Sequence, residues 1–291
     1  MNQPSGSAPR DPSPATIAAT IALLGDEAVT ARTARQRLLR WGMVALLPLQ
    51  EGAEAESIRV RTQCRSILRD FEVRECLRRF GTLRLGRGGR GGAPPLLEGA
   101  VLLSKMVRTF VPDAPELAAL LRREATELRE QCVGRTAPTC ARLLAERLHA
   151  RFGLRGGDAN TLDPEHVLID RVLAVRVGVP VTLSLIYLLV ARWAGLSVAG
   201  VAMPDHFLVR LHGVRPSLVD PYHGGRTVTK VDCARYLRSN GHDQVLDHLR
   251  DLTDREMLIH YLRCLRRAAS HRPASGTQQT LGHALALLET P

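Results

Sequence analysis

Two side chains in the second half of the chain could do acid–base work together: His206, in PDHFLVRL, and Asp220, which closes SLVD. An imidazole beside a carboxylate is a general base whose tautomer and orientation are fixed. The same pair is also a buried hydrogen bond that pins two strands, and the residue types are compatible with both. A base needs something to deprotonate. The nearest hydroxyls are Thr182 and Ser184, in GVPVTLSLIYLLV. Helical rise carries Ser184 about 6 Å along the axis from Pro180, so either hydroxyl must be brought within hydrogen-bond reach of His206. Cys233 follows Asp220 and would serve only by folding back; in KVDCARYLR it reads as a buried thiol on a helix. Asp205, His212 and His223 offer further oxygen and nitrogen donors. His212 lies six residues past His206 on one strand, too far to share an ion, so no metal and no other cofactor is expected.

These residues need elements that hold them. Gly178 and Pro180 precede a continuous apolar helix from about Val181 to Ala194, with Pro180 at a first-turn position that suits its fixed φ and Gly195 as the stop. SVAGVAM and HFLVRLH read as strands, SLVD as a short third, and DPYHGG as the closing turn. Upstream, LLEGAVLLSKMVRTF, PELAALLRREATELREQC and TAPTCARLLAERLHARFG are amphipathic helices, the last ending at Gly153. Downstream, Thr253 to Glu256 fits a capping box opening MLIHYLRCLRRAA, whose Leu258, Tyr261, Leu262 and Leu265 make one apolar stripe.

A buried helix followed by an antiparallel sheet, with a histidine opening one strand and an aspartate closing the next, resembles the arrangement of transglutaminases and papain-like proteases. There a cysteine at the N-terminus of the helix attacks. The helix dipole stabilises its thiolate, the imidazole takes its proton and the carboxylate orients the imidazole. The ordered pieces LLEGAVLLSKM, FGLRGG, LDPEHVLIDRVL, GVPVTLSLIYLLVARWAGL, PDHFLVRL and LVDPYHGG run from about Leu96 to His271. They resemble the bacterial transglutaminase-like proteins known as regulators of sirC expression, and the related domain of an F-box protein of ubiquitin ligases. The resemblance implies that His206 is the triad histidine and Asp220 the triad aspartate. Counting back from Gly195, which matches the glycine ending the nucleophile helix, it puts Pro180 where the cysteine stands. Proline carries no nucleophile. The implied protein is a pseudoenzyme that acts as a protein-interaction or regulatory module and not as an enzyme. The alternative is a hydrolase or acyltransferase that uses Ser184 or Thr182 with His206 and Asp220.

The rest of the chain frames this region. Residues 1–15 are rich in Pro, Ser and Ala and read as a disordered tail. Residues 16–80 are helical, and ARTARQRLLRW from Ala31 aligns with VRTQCRSILRD from Val60 at an offset of 29, a pattern that resembles HEAT-like repeats. Residues 81–95 form a Gly/Arg-rich linker, 96–270 the transglutaminase-like domain and 271–291 a C-terminal helical segment. The fold class expected is α+β: a papain-like or transglutaminase-like domain preceded by an all-helical, HEAT-like one.

The net charge of +11 allows nucleic acid or acidic partners, and residues 59–90 carry ten arginines against Asp70, Glu72 and Glu75. No aromatic residue interleaves the Gly/Arg run for stacking, so a linker is the better reading and nucleic-acid binding the second alternative. The expected partner is a protein. Six scattered cysteines without zinc-ligand spacing, no secretory signal and no apolar run of membrane-spanning length point to a cytoplasmic protein.

Overall fold

The computed structural model describes residues 12–85, 94–158, 162–243, 245–270 and 275–290. Most of the expected tail, and residues 86–93 of the expected linker, lie outside these. The chain divides into two compact units, residues 1–76 and 77–291.

The first unit is helical: α1 (Pro14–Ala22), α2 (Ala28–Trp41), α3 (Leu46–Gly52) and the first part of α4 (Ile58–Gly81). Helix α1 begins inside the stretch read as tail, because Ser13 accepts the Thr16 N–H and Pro14 occupies the first turn. Ile17, Leu24, Leu38, Leu49, Cys64 and Ile67 form its core. Leu38 and Ile67, matched by the offset of 29, are both fully buried in that core, and Leu39 and Leu68 both pack at its edge. The arginines of α4 fasten the unit. Arg59 donates to the carbonyls of Gly25 and Asp26, Arg61 to that of Ala55, and Arg65 to that of Ala53. Asp70 accepts from Arg35 at 2.5 Å.

The second unit opens with α5 (Pro95–Val107), α6 (Ala114–Cys132) and α7 (Ala137–Ala145), whose last turn widens into a π-helical segment, Glu146–Arg151. A parallel pair follows, β1 (Arg155–Gly156) with β2 (Val177–Gly178), separated by α8 (Ile169–Val175). Helix α9 (Pro180–Trp193) is buried from Val181 through Ala191, as an all-apolar helix must be, and packs on α6, on the sheet and on α12. The sheet is antiparallel in the order β3 (Val198–Met203), β4 (His206–Leu211), β5 (Ser217–Asp220), β6 (Arg226–Val228). Strand β6 extends the three expected strands by one.

After α10 (Lys230–Ser239) and the short α11 (Val245–His248), α12 (Asp254–Ala269) starts at the Thr253/Glu256 capping box and buries Leu258, Tyr261, Leu262 and Leu265. Helix α13 (Ser275–Glu289) packs on α12. The architecture is α+β, a helical unit followed by a mixed helix and sheet unit. No helix among the described residues is long and apolar enough to cross a membrane.

Candidate functional site

Strand register brings the acid–base pair together. Met203 pairs with His206 across a tight turn, where Asp205 takes a left-handed φ of 53°, so the imidazole stands at the very start of β4. Val209 pairs with Val219, which leaves Asp220 at the end of β5 beside it. His206 Nε2 lies 3.0 Å from Asp220 Oδ1, at ion-pair distance but off the line of a hydrogen bond.

The turn after β5 supplies the rest. His223 Nδ1 is hydrogen-bonded to Asp220 Oδ2 at 2.7 Å, its backbone N–H donates to Oδ1 at 3.2 Å, and Arg226 Nε stands 3.5 Å from Oδ2. Gly225 donates its N–H to the Asp220 carbonyl. Gly224 and Gly225 both have φ of 73°, and a Cβ on Gly225 would meet the Ala145 Cβ at 2.5 Å, so this curl admits only glycine. The Tyr222 ring stands edge-on to His206 and its hydroxyl donates to the Gly157 carbonyl.

The Asp220 side chain is 2% exposed. Burial pushes its carboxyl up, but the His206 imidazole, followed by the His223 ring and N–H, outweighs that and holds it at about 2. The group is a carboxylate at neutral pH.

His206, Asp220, Tyr222 and His223 line a cleft of about 1050 Å³, and so do Pro180 and Val181 at the start of α9. Helix α9 begins there because Val179 takes an extended conformation as N-cap, its N–H bonded to the His166 carbonyl, and Pro180 fills the first turn.

The two hydroxyl candidates do not reach this cleft. Thr182 is fully buried and donates to the Val167 carbonyl at 2.8 Å, and Ser184 is fully buried without a partner. Thr182, two residues on, faces away from Pro180, whereas Ser184 shares its face one turn deeper, inside the packed core, so neither hydroxyl lines the cleft with His206, which corrects their reading as substitute nucleophiles. Cys233 and Cys264 border the cleft, yet burial pushes both thiols up and away from the thiolate form. Of the three extra donors, only His223 joins the pair: His212 Nε2 stands 3.1 Å from Asp251, and Asp205, exposed at the border of the cleft, lies 3.8 Å from Arg267. The partnership of His223 with Asp220 escaped the sequence reading. Its signal was the His-Gly-Gly that follows Asp220 in DPYHGG.

The profile of the transglutaminase-like superfamily matches residues 115–263, half of the chain. The chain belongs to this superfamily. The matched span takes in α9, the whole sheet and most of α12, and so every side chain of the cluster in the cleft. A UPF0162 protein of Xylella fastidiosa (strain 9a5c) is 34% identical over 101 residues, covering 34% of this chain and 36% of its own. One from Vibrio cholerae serotype O1 is 28% identical over 140 residues, 45% of this chain and 50% of its own. The chain thus spans between about a quarter and a half of the length of the curated relatives it matches. No solved structure matches.

Proposed function

We propose that the protein is a transglutaminase-like pseudoenzyme, a cytoplasmic protein-interaction or regulatory module of the kind known in bacteria as regulators of sirC expression. The observation that carries this reading is Pro180: the α9 residue that opens onto the cleft with His206 and Asp220 has no atom that can attack a carbonyl. The burial of Thr182 and Ser184 supports it by removing the nearest replacements. A carboxylate–imidazole pair without a nucleophile still presents oriented polar groups to a bound side chain, which suits recognition. The equivalent burial of Leu38 and Ile67 supports a HEAT-like pairing of the N-terminal helices, a common scaffold for holding proteins.

Restoring the thiol tests the proposal. The wild-type chain is expected to show no acyl transfer and no labelling by serine- or thiol-directed acylating probes that depends on His206. Pro180→Cys is expected to gain rapid labelling, and Pro180→Cys combined with His206→Ala to lose it. Wild-type labelling that disappears in His206→Ala overturns the reading.

A further inference from the structure

We propose that His206, Asp220 and His223 form a binding site for a divalent transition-metal ion of the zinc class, with its open coordination positions facing the cleft. Two imidazoles and one carboxylate are a donor set suited to first-row divalent ions, and three protein ligands leave room for a further one. A ring nitrogen of His206, a carboxylate oxygen of Asp220 and a ring nitrogen of His223 all lie within 4.8 Å of one another. Each imidazole already touches the carboxylate, His206 Nε2 at 3.0 Å from Oδ1 and His223 Nδ1 at 2.7 Å from Oδ2.

Ligand atoms each about 2.1 Å from a tetrahedral zinc stand about 3.4 Å apart, so an ion needs the imidazoles to open slightly from the carboxylate and all three donors to close within that span. His223 can make that adjustment, since its side chain is 49% exposed. His206 Nε2 is itself buried without an aligned hydrogen bond, a nitrogen that a metal would satisfy.

The backbone makes the set rigid. Two ligands end paired strands and the third sits three residues on, in a turn fixed by the Gly225 N–H and by two left-handed glycines. Arg226 competes for Asp220 Oδ2 only weakly, at 3.5 Å and with a side chain 63% exposed, so an ion displaces it without a burial cost. The inference goes beyond the pseudoenzyme reading and stands whether or not the cleft is catalytically silent.

The test is titration of the full-length, chelator-stripped chain with cobalt(II), followed by displacement with zinc. One equivalent is expected to bind with visible d–d bands and without a sulfur-to-cobalt charge-transfer band, which sets this site apart from the cysteines. His223→Gln and Asp220→Asn are each expected to weaken binding at least about tenfold, and His212→Gln to leave it unchanged. Should Asp220→Asn fail to fold, His223→Gln alters a half-exposed side chain and carries the test. No saturable equivalent, a thiolate band, unchanged affinity in His223→Gln, or an equal loss in His212→Gln overturns the proposal.

Discussion

Asp170, in the first turn of α8, and Asp220, at the end of β5, bury their carboxylates to the same degree, each with a side chain 2% exposed. Asp170 meets the guanidinium of Arg108 at 2.5 Å and borders no part of the cleft. Asp220 meets two imidazoles and looks into about 1050 Å³ of open space. Depth is therefore not what separates a fastening from a site. A guanidinium is charged at every relevant pH and keeps a carboxylate paired, whereas imidazoles can give up a proton or take a ligand. The contrast also explains why Asp220 tolerates a half-exposed partner: His223 is placed by its turn and not by packing.

The contrast can be broken by substitution. Asp170→Ala leaves Arg108 without its buried partner and is expected to cost about 2 kcal/mol, below the full range for a buried pair because the guanidinium is partly exposed. The urea midpoint of the full chain reports it. Asp220→Asn keeps shape and most of its hydrogen bonds, and is expected to cost about 1 kcal/mol. Equal losses at the two positions would mean that Asp220 is a fastening after all.

A third carboxylate sharpens the scale. Glu256 is held at about 2, mainly by its hydrogen bond from Arg250, with burial opposing and Thr253 assisting. Its folded value lies below the ordinary 4.5, so its stabilising contribution is complete above that pH and is lost as the pH falls toward 2. Glu256→Gln is expected to lower the urea midpoint near neutrality by the smallest amount of the three, and to flatten the acid side of the stability curve. A midpoint difference from wild type that persists unchanged to about pH 2 would show that the group is not ionised in the folded state.

Much of this arrangement was legible because it rests on strong local signals. Helix α9 is apolar on every side with proline at its start, β4 follows a Pro-Asp turn, and Thr253 with Glu256 spells a capping box. What escaped depended on information that is not local. Strand β6 is three residues long and mostly exposed, and β1 and β2 are two residues each, too short to show a period. The bond from His223 to Asp220 needs the tight turn through Pro221 and Tyr222, which a residue count does not reveal. Ser184 shares the face of Pro180 one turn on, but the cleft stops at the first turn of α9, and how far a cleft reaches along a helix is not written in spacing.

Pro180 has a last consequence. A proline in the opening turn spends no backbone donor that the helix needs, and its ring already holds the angle the chain must take there. On the proposed reading, a reactive atom can be given up at this position without registering as strain or instability. Folding and chemistry are uncoupled at this residue, so thermal melting of Pro180→Cys against the parent chain would report almost nothing, and only a chemical readout can tell a silent member of the superfamily from an active one.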